Sequence, residues 1–418
     1  MCINPDAFTK MRRLRLLILR NMHNSFQGPI CLPNELRWFE WPGCACQILE
    51  FSSYPKKLVG LNMSRSNVAG VAKQFKGFQN LKYINFSNCK SLVHMPDLSC
   101  TPNLEELDLH SCKSLVEAHE SVAYHDKLQV LNLMECYELS IFPNVLKSKN
   151  LRALHLEYCT KFERFPEIPH KLKGLKKLHL ESTAIKGLPT SLENLVSLEG
   201  MYLRNCRNLI SFPSSIYKLQ NLDSLELEDC TNLIGFPKYE DLADSPMKSG
   251  LLNLTYLNLM GCNLSKVDFL ENLSCCPLLE ELVLSRNNIT RLPTSISKRH
   301  RLSLLNVNNC HQLQKIPELP PYLRYFLADN CESLKSDGHS TFIHHLVRRG
   351  LPMADIPPHQ VRFSLSHASK LCALVYCHSR KYKMGGSKKY KAILHLCAWN
   401  AGGYCTFMRM ISITRLVY

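Results

Sequence analysis

The chain has 418 residues, 45 % of them hydrophobic and 21 % charged, with a formal net charge of +16. That balance excludes a disordered chain, and no apolar run approaches the ~20 residues of a membrane-spanning helix. The basic excess is uneven: from Lys335 onward thirteen Lys and Arg face two Asp, a net +11, which leaves +5 for the first 334 residues.

The opening MCINPDAFTKMRRLRLLILRN has a short apolar stretch, but Arg15 and Arg20 cut it and no small-residue cleavage site follows. This reads as a chain kept in a reducing compartment, where its twenty cysteines remain thiols. From there an L-x-x-L-x-L pattern begins at Leu14 and recurs at Leu36, Leu58, Leu81, Leu104, Leu128, Leu151, Leu175, Leu198, Leu222, Leu254, Leu279, Leu302 and Leu323. Such a register predicts an α/β leucine-rich-repeat solenoid: a curved horseshoe of about fourteen repeats with a parallel β-sheet on its concave face. Segments such as FPSSIYKLQNL (Phe212 to Leu222) and LPTSISKRHRL (Leu292 to Leu302) place a proline before each return leg. They predict an irregular or short-helical convex side.

The ninth position of the unit holds Cys44, Cys89, Cys112, Cys136, Cys159, Cys206, Cys230, Cys262, Cys310 and Cys331. Ser66, Thr183 and Asn287 fill the same column elsewhere. Metal ligands, disulfides and nucleophiles are the chemical alternatives. A linear ladder without C-x-x-C pairs does not converge four ligands on zinc. Parallel side-chain vectors and a reducing compartment disfavour disulfides, and a nucleophile needs exposure and a base. The exchange with Ser, Thr and Asn points to a small buried group that bonds backbone at the turn after each strand.

The spacing from Leu222 to Leu254 is 32 residues, with the excess in KYEDLADSPMKSG, Lys238 to Gly250. This is read as a surface insertion. The repeat ends at Leu334, giving a solenoid at 1–334 and a basic tail at 335–418. In the tail, RFSLSHASKLCALVYC and KAILHLCAWN alternate as strands do around Gly385 and Gly386, so a small or degraded β-rich appendage is expected there. Apolar repeat sequence begins within a few residues of Met1 without a polar cap, which predicts a domain ahead of it.

The strand-flanking positions define the expected protein-binding face: Asp108, His110, His155, Glu157, His179, Glu181, Tyr202, Arg204, Glu226, Glu228 and Tyr256. Tyr202, Arg204 and Tyr256 are the expected energetic anchors, because Tyr and Arg dominate interface energetics. His155 beside Glu157 also suits acid–base chemistry, but an open solenoid face lacks a water-excluding pocket. No catalytic residue, cofactor site or metal site is expected, and the chain reads as a non-enzyme.

The segments Phe86 to Cys136 and Leu292 to Leu334, with P-E-L-P-x-x-L at Pro317 to Leu323 and D-N-C-x-S-L at Asp329 to Leu334, resemble plant intracellular immune receptors. The class is the Toll/interleukin-1-receptor-type (TIR) nucleotide-binding leucine-rich-repeat receptor. AFTKMRRLRLLILRN and LPNELRWFEWPG look like the start of that class's repeat domain. The likeness covers about residues 5 to 335. No phosphate-loop motif G-x-x-x-x-G-K-[ST] is present, and nothing in the sequence matches the class's N-terminal signalling domain. The resemblance therefore implies the sensor part of a disease resistance protein, cytoplasmic or nuclear. It would bind a pathogen effector or a host protein, and would normally be joined to an N-terminal nucleotide-binding domain. The competing classes are a ubiquitin-ligase substrate adaptor, whose units are usually longer, and nucleic-acid binding through the basic tail, which is disfavoured.

Overall fold

The computed structural model describes residues 2–4, 6–20, 25–26, 28–71, 75, 77–237, 239 and 250–334, and then the strand segments 362–367, 371–384, 387–399 and 405–415. The chain forms two compact units, Met1–Leu225 and Glu226–Tyr418.

Each of the fourteen leucine starts is followed, two residues on, by a three-residue strand, from Leu16–Ile18 after Leu14 to Tyr325–Leu327 after Leu323. In the first unit the strands pair in parallel and in register: Glu106–Asp108 has Tyr83–Asn85 on one side and Val130–Asn132 on the other. In the second unit Tyr256–Asn258, Glu281–Val283, Leu304–Asn306 and Tyr325–Leu327 pair the same way. The middle residue of each strand points inward; Leu107, Leu131, Leu154, Leu178 and Met201 are at most 1 % exposed. Each such side chain contributes roughly 1.5–3 kcal/mol by leaving water. Three-residue strands would not hold alone, so stacking against neighbours supplies the core.

The turn after each strand has a fixed geometry. Position eight of the unit is left-handed: Asn88 has φ 59°, Ser111 58°, Glu135 60°, Tyr158 63°, Asn205 60° and Asn309 59°. That bend brings position nine back under the strand. There the Cys112 Sγ donates to the Phe86 carbonyl at 3.1 Å, and Cys136 donates to Leu109 at 3.2 Å. Cys159, Cys206, Cys310 and Cys331 repeat the bond at 3.0–3.2 Å. In every case the acceptor is position six of the preceding repeat. Asn287 makes the same bond through Nδ2 to Leu259, and Ser66 through Oγ to Trp41. The column is therefore a row of small side chains bonded to backbone, although Thr183 donates its Oγ1 to the Leu180 carbonyl of its own repeat, at 2.8 Å. All the column's cysteines, Cys89 and Cys230 included, are buried thiols.

The return legs contain short 3₁₀ helices. Thr190–Asn194, Ser214–Lys218 and Thr294–Lys298 each follow a proline in extended conformation, which caps the helix from outside with its φ fixed by the ring. The asparagine just before the starting leucine ties adjacent legs together. Asn80, Asn103, Asn150 and Asn221 each donate Nδ2 to a carbonyl one repeat back, at 2.6–2.8 Å. Phe51 and Phe78 pack edge to face, with ring centroids 5.1 Å apart, inside the first unit.

Apart from Tyr239 and Gly250, the expected insertion lies outside the described residues. Beyond Leu334, strand Arg362–His367 pairs in parallel with Tyr325–Leu327 and antiparallel with Leu371–Met384. Met384 stands opposite Ser387 of strand Ser387–Trp399; the glycines expected at that turn lie outside the described residues. Among the described residues no helix is long and apolar enough to cross a membrane.

Candidate protein-recognition face

The fifth position of the unit forms one row across the first unit's sheet: Asp108, Asn132, His155, His179 and Tyr202 stand side by side by strand register. The last three form an aromatic stack. His155 and His179 ring centroids are 5.8 Å apart with planes at 24°, and His179 and Tyr202 are 4.7 Å apart at 15°. Gly200 makes room for this: a Cβ there would sit 2.7 Å from the Tyr202 hydroxyl. A glycine inside a strand marks such a close approach.

The seventh position supplies the partners of the fifth. His155 Nδ1 lies 3.0 Å from Glu157 Oε1, and His179 Nδ1 lies 3.2 Å from Glu181 Oε1. The hydrogen bond to Glu157 is the main force holding the His155 pKa above its ordinary value. Burial opposes it, and the charges of Glu157, Glu181 and Asp108 add to it. His110 reverses the order, with its Nδ1 at 2.9 Å from Asp108 Oδ1 and its Nε2 at 3.1 Å from Asn88 Nδ2. The amide donor at Nε2 places the ring proton on Nδ1.

Asp108 is also committed to the backbone, accepting from the His110 N–H at 3.1 Å. Asn85, Asn132, Asn258 and Asn306 make the same bond two residues on. The fifth position therefore does two jobs. Where it is Asn or Asp it closes the turn, and at His155, His179 and Tyr202 it presents rings. Arg204 is exposed beside this stack in the sequence, two residues after Tyr202.

In the second unit Tyr256 is half-buried among carboxylates. Burial raises its pKa most, and the charges of Glu226, Glu281 and Glu228 raise it further, against a hydrogen bond to Asn258. Three expected residues, Glu226, Glu228 and Tyr256, thus share one acidic neighbourhood, to which the structure adds Glu281. Arg286 pairs with Asp229 nearby in that unit.

Sequence reasoning missed three features of the face. The recurrent Asn at position five was a legible signal that went unread. Gly200 was legible only as a lone glycine. Glu157, His179 and Glu181 offer ligand atoms within 4.8 Å of one another, a group assembled from two adjacent repeats that no linear motif reveals.

Parallel three-residue strands, each followed among the described residues by a left-handed turn and a small capping side chain that is most often a thiol, define a leucine-rich-repeat solenoid. Residues 148–344 match the family described as leucine-rich repeats of RPS4B-like disease resistance proteins. The chain is 29 % identical over 392 residues to TMV resistance protein N of Nicotiana glutinosa, covering 82 % of this chain and 33 % of that protein. It is 33 % identical over 347 residues to the disease resistance-like protein CSA1 of Arabidopsis thaliana, covering 80 % and 28 %. With Arabidopsis RPS4B it shares 26 % identity over 349 residues, covering 80 % and 26 %. This is a leucine-rich-repeat region of the kind carried by plant TIR-type nucleotide-binding resistance proteins, and it spans about a third of the relatives' length or less. Among solved structures, a Leptospira interrogans leucine-rich-repeat protein aligns over 78 % of this chain and 95 % of its own at 22 % identity, with a TM-score of 0.41.

Proposed function

We propose that this chain is the protein-recognition module of an intracellular plant immune receptor, binding a pathogen effector or a host protein through its strand face. The observation that carries this reading is the stack His155–His179–Tyr202, a half-buried aromatic row on the strand face. Aromatic anchors beside an arginine are the usual source of interface energy. Kinship with plant resistance proteins supports the immune context. In the second unit the carboxylates around Tyr256 suit a basic segment of the partner. The module works in the cytoplasm or nucleus, coupled to a nucleotide-binding domain, with residues 335–418 as a basic appendage whose strand Arg362–His367 pairs with the last repeat strand.

The test is comparative affinity capture from pathogen-challenged leaf extract, read by quantitative mass spectrometry. Wild type is set against Tyr202→Ala/Arg204→Ala, Tyr256→Ala and the return-leg control Ile210→Ser. Loss of a hot spot of ~2 kcal/mol lowers affinity ~30-fold, so specific partners should vanish from the face variants and stay with the control. Equal recovery from all four proteins overturns the reading.

A further inference from the structure

Two adjacent repeats of the first unit bring one imidazole and two carboxylates together on the strand face. His179 Nδ1 lies 3.2 Å from Glu181 Oε1 and 3.8 Å from Glu157 Oε1. All three residues offer ligand atoms within 4.8 Å of one another. A tetrahedral zinc ion with bonds of about 2.0–2.1 Å separates its ligand atoms by roughly 3.3–3.4 Å. The two measured separations bracket that value.

The carboxylates are also left incompletely satisfied. Glu157 is 9 % exposed. Its Oε2 and that of Glu181 are buried and take no hydrogen bond. A buried carboxylate oxygen without a partner is costly, and two like charges this close raise the cost. Elsewhere on this face the pattern is different: Asp108 accepts from both the backbone and the ring of His110.

We propose that Glu157, His179 and Glu181 form a binding site for a divalent transition-metal cation of the zinc type. Imidazole beside carboxylate suits zinc, while magnesium and calcium prefer all-oxygen sets. On binding, His179 takes the neutral tautomer with its proton on Nε2, so that the Nδ1 lone pair bonds the metal, while each glutamate supplies an ionised oxygen. The ion would neutralise both carboxylates and clamp the two repeats together. Three protein ligands leave a fourth place for water or for a donor atom of a bound protein. His155 acts as a positioning residue, because its Nδ1 holds Glu157 Oε1 at 3.0 Å. This site is independent of the recognition reading above, which stands or falls on protein capture.

The test is titration of the full chain with Co²⁺, followed by absorption spectroscopy and by Zn²⁺ competition. The expected result is one saturable site with visible d–d bands, no near-ultraviolet thiolate charge-transfer band, and displacement by Zn²⁺. The changes Glu157→Gln/Glu181→Gln and His179→Gln should abolish it. The milder His155→Ala should weaken it by roughly 10–100-fold, as loss of a positioning partner does. The distant exposed change His94→Gln should leave it unchanged, and circular-dichroism melts confirm folding of each variant. Absence of saturable binding in the wild type, thiolate bands, or wild-type affinity in the folded Glu157→Gln/Glu181→Gln or His179→Gln variants would each overturn the proposal.

Discussion

His179 lies flat against Tyr202, with ring centroids 4.7 Å apart and planes 15° apart, and the phenol folds back over Gly200 of its own strand. Gly200→Ala places a methyl 2.7 Å from the Tyr202 hydroxyl, so the ring must move. The expected cost is about 0.5–1.5 kcal/mol from the lost stack. The His179 ring protons should lose their upfield ring-current shift in the NMR spectrum. An unshifted His179 signal in the folded variant would show that Gly200 does not position the pair.

The thiol ladder predicts selective inertness. Burial is the largest cause raising the pKa of Cys89 to about 11, Cys159 to about 12 and Cys310 to about 11. Iodoacetamide at pH 8 should therefore leave these residues unmodified in the native protein and label them after denaturation, as peptide mapping would show. Cys112→Ala removes the bond to the Phe86 carbonyl and should lower stability by about 1 kcal/mol. Cys112→Ser should lose less, since Ser66 already makes this bond in its own repeat.

Position eight should prefer residues that tolerate a left-handed backbone. Tyr158 has φ 63° and is an exposed side chain. Tyr158→Val should destabilise by roughly 1–3 kcal/mol, because a β-branched residue is strained there. Tyr158→Gly should be close to neutral, relief of the turn offsetting the entropy of glycine. Chemical denaturation midpoints measure both, and equal effects would contradict the turn assignment.

His125 is buried, and desolvation is the main force lowering its pKa, against a backbone bond to Leu98 and the charge of Asp97. Below the ordinary histidine value of about 6.5 the unfolded chain takes up this proton before the folded one does. The stability His125 allows at neutral pH is therefore lost as pH falls from that value toward the lowered folded one. Wild type should lose more unfolding free energy between pH 8 and pH 5 than His125→Leu. Identical losses would mean that another group carries the acid sensitivity.

The repeat register was readable because large apolar residues, mostly leucine, recur at positions one, four and six of the unit. The cysteine column was readable for a similar reason: Ser66 and Asn287 share only small size and hydrogen-bonding capacity with cysteine. Its acceptor, a carbonyl of the preceding repeat, was not readable, since it depends on how one turn stacks on the next. The same holds for the face. Each of His155, Glu157, His179 and Glu181 was visible as a strand-flanking residue, but the stack with Tyr202 and the convergence of three ligands arise between strands. The split role of position five was legible in Asn85, Asn132, Asn258 and Asn306. It needed comparison down the column rather than along the chain.

The central claim is that the strand face around Tyr202 meets the protein partner. The most direct measurement is photocrosslinking in challenged plant tissue, with benzoylphenylalanine placed at Tyr202 in one protein and at Ile210, 45 % exposed on a return leg, in another. The account predicts a discrete protein adduct from position 202 and none from position 210. The same adducts from both positions, or adducts from 210 alone, would contradict it.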